Sequence, residues 1–158
     1  MSIRPRRSVL YMPGSNARAL EKAKTLPADA LILDLEDAVA PDAKEVARKQ
    51  VAEAVAQGGY GRRELIVRIN GLSTPWGKED LAAAAKAGPD AVLIPKVSTP
   101  GDIMVAAREL REAGAPERTR LWAMMETPHA ILSADSIVRT AMDPAARLAA
   151  LVMGTNDI

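Results

Sequence analysis

Short apolar runs alternate along the chain with amphipathic, alanine-rich stretches. The runs occupy residues 8–12, 30–35, 65–69, 91–94, 121–125 and 151–153, and each reads as a strand. The stretches between them read as helices over 17–24, 43–56, 78–87 and 101–113, with a further one between 131 and 148 interrupted before Pro144. Ser15 or Asn16 caps the first helix and Asp42 the second. Gly58-Gly59, Gly88-Pro89 and Gly114 end the second, third and fourth. Such alternation predicts parallel strands in an α/β fold.

Strand centres lie about 30 residues apart, the step of a (β/α)₈ barrel of ~250 residues. The expected fold is therefore a TIM barrel, of which residues 1–158 form a partial domain. It would hold βα units one to five plus strand six, the last two strands and a C-terminal segment being absent. Its first and sixth strands would then carry unpaired edges, which invite association. The competing reading is a complete six-stranded doubly wound sheet of flavodoxin type. The first βα turn lacks the glycine-rich fingerprint that would favour it.

Composition narrows the function. Lys plus Arg is 21 against 20 acidic residues, a net charge of +1, and no basic run is interleaved with aromatics. Nucleic acid is not an expected partner. No apolar stretch approaches the roughly 18 residues of a membrane span. The apolar run after Arg4 to Arg7 is too short for a secretory leader. There is no cysteine, which removes disulfides, thiolate zinc sites and cysteine nucleophiles. A cytoplasmic location is expected. With aromatics at 3% and no phenylalanine, the core must be built from Ala, Val, Leu, Ile and Met.

The chemistry gathers where the runs end: Pro13-Gly14, Glu36-Asp37, Asn70-Gly71, Pro95-Lys96, Glu126-Thr127-Pro128 and Asn156-Asp157. In a (β/α)₈ barrel these C-terminal strand ends form the catalytic mouth. Alternation puts Ile32, Asp34 and Glu36 on one face and Leu31, Leu33 and Leu35 on the other. The leucines should meet helices, so the acids face the lumen, where they need hydrogen bonds, ion pairs or a cation. Otherwise Glu36 and Asp37 simply open a solvated loop. Arg68, one strand over, faces those acids. It either grips a substrate carboxylate with its planar fork or balances Asp34 and Glu36. Lys96 could form a Schiff base, contact an anion or stand in solvent; neighbouring acids disfavour the first. Glu126 and Asp157 end neighbouring strands and converge on a Mg²⁺ site open to waters and an oxyanionic substrate. Against this, Asp157 could merely cap a helix. His129 follows Pro128 at a helix start and reads as an ordinary surface residue.

Together these segments carry a resemblance. Residues 7–16, the Asp34-Leu35-Glu36-Asp37-Ala38-Val39 segment, Arg68-Ile69-Asn70, Ile94-Pro95-Lys96, Met125-Glu126-Thr127-Pro128 and Gly154-Thr155-Asn156-Asp157 occur in register along the chain. They resemble the citrate lyase β-subunit-like family of the HpcH/HpaI aldolase–citrate lyase superfamily, which includes malyl-CoA and citramalyl-CoA lyases. The resemblance implies a TIM barrel performing Mg²⁺-dependent cleavage or formation of a C–C bond in a 3-hydroxyacyl-CoA, with acyl-CoA and a 2-oxo acid as products of cleavage. It implies that Arg68 binds the substrate carboxylate and that Glu126 and Asp157 hold Mg²⁺, with Glu126 also at the substrate. Glu36 and Asp37 would line the pocket as catalytic candidates. It further implies a homo-oligomer, trimer or hexamer, whose C-terminal tail lends an acidic residue to a neighbouring subunit. The alternatives are a metal-independent Schiff-base aldolase using Lys96, or a non-catalytic acyl-thioester-binding fragment. Which acyl group, CoA or acyl carrier protein, and which direction stay open.

Overall fold

A computed structural model describes residues 4–155. Its strands are β1 (Val9–Pro13), β2 (Ala30–Asp34), β3 (Glu64–Arg68), β4 (Ala91–Ile94), β5 (Arg120–Met125) and β6 (Leu148–Met153). They form one parallel six-stranded sheet in the order β1-β2-β3-β4-β5-β6. The connecting helices are α1 (Ala17–Ala23), α2 (Lys44–Gln57), α3 (Gly77–Ala87), α4 (Pro100–Glu112), α5 (Pro128–Leu132) and α6 (Ala134–Arg139).

The period-two pattern decides which face each strand residue takes. Leu31, Leu33, Leu65, Val67, Val92 and Leu121 share one core with Leu20, Val51, Leu81, Ile103 and Leu110 from the helices. Ile32, Ile66, Leu93, Trp122 and Met124 form a second core made of strand residues alone. Helices therefore cover one face of the sheet. That arrangement, with strands in sequence order, excludes the doubly wound alternative, which needs helices on both faces and a reversal of strand order.

The uncovered face is nonetheless dry: Ile32, Ile66 and Leu93 are fully buried. Only curling of the sheet can do this. In a flat sheet β1 and β5, four strand spacings apart, would be separated by about 19 Å. Instead the Tyr11 hydroxyl donates to Met124 Sδ at 3.8 Å across that span. The sheet is a curled, open trough with free edges on β1 and β6 among the described residues. Leu10, Tyr11, Leu151 and Met153 are exposed along them.

Several local expectations need correction. Asp42 does not cap α2. It sits in a 3₁₀ turn, Pro41–Ala43, and the helix starts at Lys44 without a side-chain cap. Pro41, with its fixed φ, opens the turn. β6 begins at Leu148, three residues before the apolar run, because Leu148 and Ala150 pair with Leu121 and Trp122 across a bulge. Pairing here overrides the helix propensity of Ala149-Ala150. The helix expected between 131 and 148 is broken into α5, α6 and 3₁₀ turns at Thr140–Met142 and Pro144–Ala146. Asn16 caps α1 as expected, accepting from the Ala19 amide at 3.0 Å. No helix among the described residues is long and apolar enough to cross a membrane.

Candidate functional site

Parallel register sets Asp34, the last residue of β2, beside Arg68, the last of β3. Both are buried and point into the trough. Arg68 Nε donates to Asp34 Oδ1 at 2.7 Å and Nη2 to Asp34 Oδ2 at 2.6 Å, a bidentate pair. Asp34 also accepts the amides of Glu36 at 2.8 Å and Ala38 at 3.0 Å, which folds the following loop back over the strand end. Arg68 Nη1 then meets two more acids, Glu36 Oε2 at 2.8 Å and Asp37 Oδ2 at 3.3 Å. The Tyr11 ring lies 5.1 Å from the guanidinium. Burial disfavours the Arg68 charge, but the hydrogen bonds and charge of Asp34 outweigh it and the pKa is raised.

The two loop acids differ. Asp37 has a 71% exposed side chain. Glu36 is mostly buried, and its Oε2, close to Arg68 but off the hydrogen-bond line, has no hydrogen-bond partner among the described residues. Burial pushes its carboxyl up to about 7, with Asp37, Glu126 and Asp34 adding to the rise and Arg68 opposing it. Beneath the loop, buried Lys44 donates to the Leu35 carbonyl at 2.8 Å and the Glu36 carbonyl at 2.7 Å. Burial lowers the pKa of this lysine.

Across the trough Glu126 follows β5 and is only 4% exposed. Its Oε1 accepts the Lys96 main-chain N–H at 2.7 Å. Lys96 itself is held at φ 53°, in the left-handed region. On the other side of Glu126 the chain passes as Gly154. A Cβ there would stand 2.7 Å from Glu126 Cβ and 3.0 Å from Oε2, so only glycine leaves room beside that oxygen. Tyr11, Asp34, Arg68, Glu126 and Gly154 line one cleft of about 440 Å³. Lys96 and Glu36 border a second, of about 330 Å³.

The structure thus brings Arg68, Glu36 and Asp37 into contact and sets Glu126 on the same cleft. Asp157 lies outside the described residues, as does its expected convergence with Glu126. No group of three His, Cys, Asp or Glu side chains among the described residues is placed to hold a metal. Glu126 does fit one position of a magnesium shell: a hard oxygen donor, fixed through Oε1, with space kept open beside Oε2. Asn70 is buried and bonds the Leu35 carbonyl and Asp80. His129 sits on α5 beside Ser133, away from the cleft. Tyr11 and Gly154 stand in the sequence only as parts of the resemblance segments, with no role at the site, and the Lys96 amide leaves no mark there. Tyr11 pairs in register with Ile32 and so lies on the trough face.

A singly wound, curled parallel α/β sheet with its buried charges at the C-terminal strand ends is the class these features define. The chain belongs to the HpcH/HpaI aldolase/citrate lyase family, which it matches over residues 7–158. It is 51% identical over 154 residues to a (3S)-malyl-CoA thioesterase of Cereibacter sphaeroides, covering 98% of this chain and 50% of that one. It is 37% identical over 162 residues to the citrate lyase subunit beta of Escherichia coli, covering 98% and 51% respectively. CitE of Mycobacterium tuberculosis, solved with magnesium, acetoacetate and coenzyme A, superposes with a TM-score of 0.73 at 26% identity, over 99% of this chain and 51% of that one. The chain spans about half the length of the curated relatives it matches.

Proposed function

We propose that this chain carries the metal-holding and carboxylate-binding side of the active site of a magnesium-dependent lyase. Its substrate is a 3-hydroxyacyl-CoA thioester of malyl, citramalyl or citryl type, cleaved at a C–C bond to acyl-CoA and a 2-oxo acid. The carrying observation is that Arg68 and Glu126, from β3 and β5, line one cleft at the C-terminal end of a curled parallel sheet. In this reading the trough is most of a (β/α)₈ barrel that two further strands close. The protein works as a cytoplasmic homo-oligomer.

Each residue has a separable task. Asp34 holds the Arg68 fork in place, leaving Nη1 turned toward Glu36 and Asp37. A substrate carboxylate reaching Nη1 displaces exposed Asp37 toward solvent. Glu36 is mostly buried and cannot leave so easily; burial raises its pKa to about 7, so near neutral pH it takes up a proton far more readily than an ordinary carboxyl. Met124 and the Tyr11 ring narrow the cleft and limit water. Glu126, with Asp157, would hold magnesium, whose Lewis acidity would stabilise the substrate's 3-hydroxyl oxygen as it gives up its proton ahead of C–C cleavage.

A second reading is favoured by the 51% identical relative named a malyl-CoA thioesterase: the same substrate class, with the thioester hydrolysed. One assay separates them. The purified protein is given (3S)-malyl-CoA and Mg²⁺. Glyoxylate with acetyl-CoA supports the lyase; malate with free CoA thiol replaces it by the hydrolase. Glu126→Gln is expected to abolish either reaction while the protein stays folded. Metal-independent turnover with borohydride trapping on Lys96 would move the chemistry to a Schiff base.

A further inference from the structure

The turn that follows β4 is unusual in one respect. Among the described residues only Lys96 and Arg147 are non-glycine residues with positive φ, at 53° and 55°. Arg147 ends a 3₁₀ turn at the opposite end of the sheet, before β6. Lys96 lies at the cleft. Lysine lacks the short polar side chain that eases this conformation in Asn and Asp, so the surroundings must help to hold it there. The holding groups are visible. Ile94 and Val97 bracket the turn and are buried in the helix-side core. Ser98 Oγ lies 3.0 Å from Thr127 Oγ1, tying the loop after β4 to the loop after β5. Thr127 is in turn fixed as the cap of α5.

The left-handed turn points the Lys96 N–H at Glu126 Oε1 at 2.7 Å. A main-chain donor to a buried carboxylate is a strong, rotamer-free contact. It fixes which way the carboxylate faces, leaving Oε2 on the side where Gly154 has no side chain. We propose that Lys96 is a positioning residue acting through its main-chain amide, its left-handed turn aiming Glu126 Oε2 at a divalent cation. This rests on the reading of Glu126 as a metal ligand. It assigns Lys96 a role distinct from Schiff-base chemistry, and one that its ammonium group does not perform.

The test is the affinity of the purified protein for Mg²⁺ alone, measured by titration calorimetry without substrate. Lys96→Gly and Lys96→Asn remove the ammonium but accept the left-handed turn. Both are expected to bind Mg²⁺ within about threefold of wild type. Lys96→Val also removes the ammonium and resists the turn. It is expected to bind about tenfold or more weakly, the usual loss when an outer contact to a metal ligand is removed. Equal losses in all three variants would place the role in the ammonium and overturn the proposal. Full affinity in Lys96→Val would overturn it too. Should Lys96→Val fail to fold, replacing the Pro95–Lys96 amide by a backbone ester removes the N–H donor while keeping the Lys96 side chain. The same tenfold loss is expected, and its absence is decisive against the proposal. A wild-type protein that binds no Mg²⁺ removes the metal reading and the proposal together, whereas wild-type binding with insensitive variants removes only the proposal.

Discussion

The two ends of the sheet carry the same ion pair in different media. At the N-terminal end Arg7 donates to Asp29 from Nε at 3.0 Å and from Nη2 at 2.9 Å. At the C-terminal end Arg68 grips Asp34 with the same fork. The Arg7 side chain is 80% exposed, that of Arg68 6%. Arg7 belongs to an open recess of about 700 Å³ that it shares with Arg4, Arg62 and Arg63. Arg68 instead serves three carboxylates at once, with Glu126 facing the same cleft. Geometry alone does not rank the two pairs. An exposed pair is screened and contributes little. A buried cluster costs desolvation that its attraction barely offsets, so stability gives weak reason to keep it, and function gives a better one.

That contrast can be broken most easily at Arg68. Arg68→Ala strands Asp34 as a buried, unpaired charge and should cost about 3–5 kcal/mol in urea unfolding. A variant as stable as wild type would mean that the trough is wetter than the packing indicates. Glu36 should give the next largest effect, through pH. In the metal-free protein its carboxyl titrates at about 7, against an ordinary 4.5. Between those values the folded protein binds the proton more tightly than the unfolded chain does. Its contribution to stability is therefore whole below pH 4.5 and is lost as pH rises through about 7. Melting temperatures measured from pH 5 to pH 8 should fall by more in wild type than in Glu36→Gln. Parallel curves would show that Glu36 is solvated. The smallest effect belongs to Arg7→Ala, whose melting temperature should match wild type and respond no differently to added salt. A clear loss there would erase the distinction between the two ends.

Much of this is legible in the amino-acid sequence itself. Alternation set Leu31 and Leu33 against the helices and turned Asp34 inward, because successive side chains on a strand take opposite faces; Glu36 lies beyond the end of β2 and reaches Arg68 through the folded-back loop. Placing Arg68 beside those acids needed only the step to the next strand. Whether its fork was free was not legible: the bidentate grip of Asp34 depends on register and on the loop folding back through two amides. The role of Lys96 lay deeper still. A main-chain N–H is common to nearly every residue, so its use leaves no mark in side-chain types. Asp42 and the start of β6 depart from local propensity for a shared reason: that propensity yields to a proline-led turn in one case and to pairing with β5 in the other.

The strictly sequential order of the strands also bears on how the molecule is made. Every strand pairs only with the one before it and the one after it in the chain. Each pairing closes a loop of one βα step, so no pairing requires a closure longer than that step. Synthesis from the N-terminus offers the strands in the order in which they pair. β2 can dock on β1 while β4 is still on the ribosome, and β6 finds β5 already in place. Assembly can thus keep pace with translation, and each newly made strand briefly serves as the growing edge that the next one covers.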